Sequence, residues 1–177
     1  MKNKVIAAVR TPEEWAGAMN CAADTVFLLA PNIEALPRQA QEAKEAGKKL
    51  FIHLDLAEGL GRDEYAIRYA KGLGVAGIIS TRTGIIKAAR KEGLATVQRF
   101  FIVDSQSVQT TVESARSSKA DMIEIMPGTV PKVIARLKRE LDQPIVAGGL
   151  IETAEEVAQA LLCGAEAIST GKQDFWN

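Results

Sequence analysis

Short runs of apolar, β-branched residues recur along the chain, separated by longer stretches whose apolar positions repeat with helical spacing. The runs are short and rich in Ile, Val and Phe, which predicts strands. These are Val5–Val9, Thr25–Leu29, Leu50–Asp55, Gly77–Thr81, Thr96–Val103, Met122–Met126, Ile145–Ala147 and Ala167–Thr170. The stretches between them predict helices at Pro12–Asn20, Leu36–Ala46, Asp63–Leu73, Ile85–Glu92, Ser107–Ser117, Val130–Leu141 and Glu152–Leu162. In the last, Ala154, Val157, Ala158, Leu161 and Leu162 share one face. Thr153 and Glu156 read as a capping box, hydroxyl and carboxylate satisfying free N–H groups, and Gly164 stops the helix.

Strands alternating with helices form a parallel sheet with crossovers. Eight such units predict an α/β fold, a compact (β/α)8 TIM-like barrel, although 177 residues leave only about 22 per unit. Only Gly171–Asn177 follows the last strand, so the last helix is expected to be short or absent, with Phe175-Trp176 closing the barrel bottom. The alternative is an open doubly wound sheet, but no G-x-G-x-x-G turn follows the first strand. No linker, low-complexity tract or charge block divides the chain, so residues 1–177 read as one domain.

Composition narrows the function. With 47% hydrophobic residues the chain is not of the disordered class. Lys+Arg 22 against Asp+Glu 22 leaves no net charge, so nucleic acid or membrane is not held by bulk electrostatics and any such binding needs a local patch. No apolar run approaches the ~20 residues that cross a bilayer. The opening Met1-Lys2-Asn3-Lys4-Val5 is too poor in apolar residues for a signal peptide. Cys21 and Cys163 lie in helical segments without metal-ligand spacing. The expectation is a soluble cytoplasmic protein with no metal and no cofactor.

Polar residues concentrate where strands end, at the barrel face that carries active groups. Alternation places His53 and Asp55 on one face of the third strand and Glu124 between Met122 and Met126 on one face of the sixth. Arg82 and Arg99 supply cations at matching depth, and Glu58 follows the third strand. Glu124 and Arg99 fit a structural ion pair as well as a ligand contact. A second cluster is Gly148-Gly149 after the seventh strand with Ser169-Thr170-Gly171 after the eighth. Glycines there let backbone N–H groups approach an anion beside a helix N-terminus, which points to phosphate. Met126-Pro127-Gly128-Thr129 reads as a rigid turn. Two basic clusters, Lys87, Arg90, Lys91 and Lys132, Arg136, Lys138, Arg139, read first as solvated helix faces.

Taken in order, several motifs resemble one family. They are Phe51-Ile52-His53-Leu54-Asp55-Leu56, Glu58-Gly59-Leu60-Gly61, Gly77-Ile78-Ile79-Ser80-Thr81-Arg82, Gln98-Arg99-Phe100-Phe101, Ile123-Glu124-Ile125-Met126-Pro127-Gly128, Ala147-Gly148-Gly149-Leu150-Ile151 and Ile168-Ser169-Thr170. The chain resembles the bacterial glycerol uptake operon antiterminator regulatory proteins. That resemblance implies a barrel that senses glycerol 3-phosphate and, when liganded, acts on leader mRNA so that transcription passes a terminator. It implies no catalysis. The phosphate would sit on Gly148, Gly149, Ser169, Thr170 and Gly171, with His53, Asp55, Glu58, Arg82, Arg99 and Glu124 as polar contacts. RNA would meet Lys87, Arg90 and Lys91, or Lys132 and Arg136. Two departures from the family pattern are Leu28-Leu29-Ala30-Pro31-Asn32 after the second strand and Gly171 where a second serine is usual. The alternative class is a barrel enzyme, an isomerase, epimerase or lyase on a small phosphorylated substrate, with Asp55 or Glu124 as base and acid.

Overall fold

The structure is a computed structural model that describes residues 4–177; Met1–Asn3, the start of the domain read from the sequence, lie outside the described residues. The strands are β1 (Val5–Val9), β2 (Thr25–Leu28), β3 (Lys49–His53), β4 (Gly77–Ser80), β5 (Ala95–Phe101), β6 (Met122–Met126), β7 (Ile145–Gly148) and β8 (Ala167–Thr170). The helices are α1 (Pro12–Asn20), α2 (Leu36–Glu45), α3 (Glu64–Gly72), α4 (Thr83–Lys91), α5 (Ser105–Ser118), α6 (Pro131–Glu140) and α7 (Ala154–Leu162). Single 3₁₀ turns occupy Leu54–Leu56 and Gln173–Phe175. Each strand pairs in parallel with its neighbours in sequence order, and β8 pairs with β1, so the barrel is closed. Closure excludes the open sheet.

Alternation along each strand sorts the core into an interior and an outer layer. Ile6, Phe27, Phe51, Ile79, Val97, Val146 and Ala167 fill the interior. The Phe27 and Phe51 rings meet there at 5.5 Å, tilted by 54°. Gly77 makes room for them: a Cβ at that position would stand 2.3 Å from a ring carbon of Phe51. Residues of opposite parity, such as Val26, Leu28, Ile52 and Ile78 on one flank and Ile123, Ile125 and Ile145 on the other, pack outward against the helices.

Among the described residues no eighth helix covers the seam between β8 and β1. The C-terminal turn does so instead, with Trp176 buried among Ala7, Val9, Trp15 and Ala18. Its Nε1 donates to Thr170 O at 2.8 Å and its carbonyl accepts from Ala23 N at 2.9 Å. Trp176 thus covers the flank of the barrel rather than its bottom, because the turn after β8 runs back alongside α1.

The ends of β2, β4 and β7 differ from the sequence reading by one residue, and those of β3 and β5 fall two residues short. β3 stops at His53, since Leu54 buries its side chain and the chain turns into 3₁₀. β5 stops at Phe101, where Ile102 N turns to donate to Met126 O at 2.7 Å. The Met126–Pro127 peptide is cis, and Gly128 N donates to the carbonyls of Gly148 at 2.6 Å and Gly149 at 3.1 Å. The turn after β6 is therefore tied to the end of β7.

Candidate functional site

The upper interior of the barrel is polar. Glu124 on β6 and Arg99 on β5 are register partners, and both are buried. Arg99 Nε donates to Glu124 Oε2 at 2.6 Å, and Ser169 Oγ on β8 donates to Glu124 Oε1. Gly148 lies beneath this pair: a Cβ there would stand 2.4 Å from Ser169 Oγ and 2.6 Å from Glu124 Oε1. Of the four buried side-chain polar atoms without a partner among the described residues, Nη2 of Arg99 and Nδ1 of His53 belong to this interior, and Oε1 of Gln39 and of Gln98 lie elsewhere. Burial, and next the positive charges of Arg99 and Arg10, push the His53 pKa down from 6.5 to about 4 against the opposing Asp55 carboxylate. His53 is therefore neutral at physiological pH. Most buried polar atoms in native proteins are paired with protein, ligand or water, so these two atoms single out this part of the interior.

Asp55, Glu58 and Arg82 do not join this group. The 3₁₀ turn after His53 carries Asp55 sideways to the end of β4, where it accepts from Ser80 Oγ at 2.8 Å, Thr81 N at 2.7 Å and Thr81 Oγ1 at 2.9 Å. Burial raises the Asp55 pKa, but those hydrogen bonds together hold it below the ordinary carboxylate value. Asp55 is consumed in fixing the β4 terminus. Arg82 is exposed, 4.0 Å from Asp55, with its amide bonded to Ser80 Oγ at 3.0 Å. Glu58 bridges to the β2 loop through Glu58 N to Pro31 O at 2.8 Å, Ile33 N to Glu58 O at 3.0 Å and Asn32 Nδ2 to Glu58 Oε2 at 3.2 Å. The segment Ala30-Pro31-Asn32, which departs from the family pattern, is where the β3 loop docks.

An open cleft of about 470 Å³ lies beside the polar interior, between the ends of β7, β8 and β1. Gly149, Ser169, Thr170 and Gly171 line it, together with Leu150, Ile151, the cations Arg10 and Lys172, and the acids Glu14 and Glu152. Gly148 does not line it, since its Cα is packed against Glu124 and Ser169. Gly149 and Leu150 are both left-handed, with φ of 73° and 59°. The Leu150 side chain is 70% exposed, so packing does not explain a conformation that costs a non-glycine residue about 1–2 kcal/mol. Among the described residues the amides of Leu150 and Ile151 donate to no protein group. The hydroxyls are less free: Ser169 is held by Glu124, and Thr170 Oγ1 accepts from Lys172 N at 3.1 Å. The amides at the start of α7 are also taken, because Glu156 Oε2 accepts from Glu152 N at 2.7 Å and Thr153 N at 3.0 Å. An anion here is met by the Gly149–Ile151 turn and by two cations that the sequence reading passed over. Arg10 directly follows β1 and Lys172 closely follows β8, and a basic residue just beyond a strand end at the closing seam was the signal available.

The basic clusters separate. On α4, Arg90 donates to Lys119 O near the lower end of β5 and lies 4.0 Å from Asp121, while Lys87 Nζ donates to Ser117 Oγ at 3.2 Å. On α6, Lys132, Arg136 and Arg139 line a groove shared with Ile102–Ser105 and Val108. No described helix is long and apolar enough to cross a membrane. No group of three His, Cys, Asp or Glu converges among the described residues.

Residues 5–176 match the family described as glycerol-3-phosphate responsive antiterminator. An uncharacterized Escherichia coli K12 protein, YgcP, is 38% identical over 99% of this chain and 92% of its own length. The crystal structure of the glycerol uptake operon antiterminator regulatory protein of Listeria monocytogenes superposes with a TM-score of 0.94 at 30% identity, over 99% of this chain and 96% of that one. An antiterminator-related protein of Thermotoga maritima gives 0.88 at 33% identity, over 98% of each chain. Deoxyribose phosphate aldolase of Aeropyrum pernix shares the fold alone, with a TM-score of 0.73 at 17% identity over 98% of this chain and 87% of that one. Sequence, barrel and relatives agree: the chain belongs to the glycerol-3-phosphate responsive antiterminator family.

Proposed function

We propose that this chain is a cytoplasmic regulator that binds glycerol 3-phosphate at the upper mouth of the barrel and, in that form, acts on leader mRNA to let transcription pass a terminator. The observation that carries the ligand reading is the pair of orphaned buried atoms, His53 Nδ1 and Arg99 Nη2, beside a cleft with free backbone amides. One end of a small ligand takes hydrogen bonds from the polar interior. The other, a phosphate, meets the Leu150 and Ile151 amides and the side chains of Arg10 and Lys172, on a lining that Glu14 and Glu152 share. Ser169 joins the two ends, since it lines the cleft and donates to Glu124.

Binding without turnover fits the same groups. Glu124 is engaged at both oxygens, by Arg99 at Oε2 and by Ser169 at Oε1, which fixes its orientation as part of the scaffold. Lysines flank the interior without entering it: Lys49 is exposed at the foot of β3, and Lys172 Nζ donates to Glu152 O at 2.7 Å. Schiff-base chemistry needs a desolvated lysine, so it is disfavoured. Calorimetry with glycerol 3-phosphate, followed by a gel shift on leader RNA with and without it, tests the reading. Heat of binding and ligand-dependent retardation are expected; turnover of the phosphate ester would replace the regulator by an enzyme.

A further inference from the structure

We propose that the groove between α5 and α6 is the face that receives the phosphate backbone of single-stranded RNA, and that β5 and β6 link it to the ligand. This rests on the regulator reading above and assigns it a surface. The groove, of about 450 Å³, is lined by Lys132, Arg136 and Arg139 from α6 and by Ile102, Val103, Asp104, Ser105 and Val108 from the β5 end and α5. Neither Lys132 nor Arg139 makes a hydrogen bond or ion pair among the described residues, and Arg136 is paired only with Glu140 of its own helix. The one acid lining the groove, Asp104, has its carboxylate engaged by Ser107 N at 2.7 Å as the cap of α5. Lys132, Arg136 and Arg139 thus outnumber Asp104 and the Glu140 paired with Arg136, which leaves a modest net positive charge there.

Several other basic residues face acids, whereas Lys87 and Lys91 on α4 form no ion pair among the described residues. Arg68 and Lys71 on α3 face Glu92, with Glu64 also on Arg68, and Arg90 faces Asp121. Val103, which lines the groove, is 83% accessible, and Phe101, the β5 residue just before the groove-lining Ile102, is 58% accessible. Cations that track phosphates beside an exposed aromatic ring are the elements of sequence-tolerant single-strand binding, since every base has a face to stack.

The connection to the ligand is short. Arg99 stands two residues before Phe101 on β5, and Glu124 two before Met126 on β6. Ile102 N donates to Met126 O, which joins the two strand ends directly beneath the groove, and Met126 also lines the cleft. A ligand that binds differently to two arrangements of Arg99 and Glu124 thereby biases the segment Phe101–Val103.

Ultraviolet crosslinking of the full chain in its native cells, with mass spectrometry of the RNA-bearing peptides, tests the assignment. Crosslinks on the peptide containing Phe101–Val103 and on α6 are expected. With the recovered RNA in vitro, Lys132→Gln/Arg139→Gln should lower affinity and reduce the log–log salt slope by about 1.4, the loss of two single-strand phosphate contacts. Arg38→Gln/Lys44→Gln on α2 removes equal charge and should change neither. Unaltered glycerol 3-phosphate calorimetry and thermal melting establish that the variants fold. Crosslinks confined to other segments, for example Lys87–Lys91, overturn the groove and leave the regulator. Absence of any crosslinked RNA with ligand present overturns both. A dimer that the α6 variant dissociates makes this a contact between copies of the chain and overturns the RNA assignment.

Discussion

At the scale of single residues, the buried interior separates groups that hold the barrel from groups that read a ligand. His53 carries an ordinary value of 6.5 in the unfolded chain and about 4 in the fold. Between those values the unfolded state binds more protons, so stability falls as pH is lowered through the window and is indifferent to this group above it. At about pH 4.5 the loss amounts to roughly 2.5 kcal/mol relative to neutral pH. Urea denaturation at both pH values should show that loss diminished by about this amount in His53→Asn; equal pH dependence in both proteins would remove His53 as a buried neutral group. The Arg99–Glu124 pair has a different signature. Glu124→Ala leaves a buried guanidinium uncompensated and should cost about 3–5 kcal/mol. Replacing both partners with methionine should restore most of that stability, because no charge is left buried. Glycerol 3-phosphate binding should nevertheless stay absent in the double variant. Recovery of stability together with binding would reduce the pair to scaffolding.

At the scale of elements, each strand end sets what its residues can do, and here the sequence was legible unevenly. Strand and helix periodicity placed the alternating elements because each has an apolar face that must be buried. Thr153 and Glu156 announced the cap of α7, and the structure forms it with Glu156 N bonded to Thr153 Oγ1 at 3.2 Å. Alternation failed at Asp55 because it assumes a strand continues; β3 ends two residues earlier, at His53, where Leu54 is buried and the 3₁₀ turn carries the carboxylate to Ser80 and Thr81. The double glycine after β7 was legible as a backbone feature, but its two members do different work. Gly148→Ala places a Cβ against Glu124 and Ser169 and should lower stability by about 1–3 kcal/mol through overpacking. At Gly149 a Cβ would meet Met126 no closer than 3.5 Å, so Gly149→Ala is disfavoured mainly by its φ of 73° and by its place on the cleft. Thermal melts and calorimetry of the two variants separate them: Gly148→Ala should shift melting more, Gly149→Ala binding more. The turn bearing Trp176 was expected from the short tail, yet its position on the flank depends on hydrogen bonds to Thr170 and Ala23, which no local pattern encodes. Trp176→Ala should cost about 3–5 kcal/mol by chemical denaturation.

At the scale of the whole molecule, the cleft exists only because the barrel closes. Arg10 belongs to the first unit and Lys172 to the last, and the β1–β8 pairing sets them on one rim. A phosphate held between them bridges the two ends of the chain. Its binding energy is then coupled to closure, since the unfolded or opened chain has no such rim and no affinity to set against it. At a free concentration near 100 times Kd, glycerol 3-phosphate should stabilise the fold by about 2.7 kcal/mol, which for a chain of this size raises Tm by about 5–10 °C. Glycerol alone leaves the cations and the Leu150 and Ile151 amides unused, and inorganic phosphate leaves the His53–Arg99 end unused; each should stabilise less than the ester at equal concentration. Arg10→Gln should weaken ester binding about tenfold, the loss of one charge-assisted contact, while glycerol binding is unmoved. If the ester and inorganic phosphate stabilise wild type and Arg10→Gln alike, the anion does not sit on this rim, and the two ends of the chain meet only to complete the sheet.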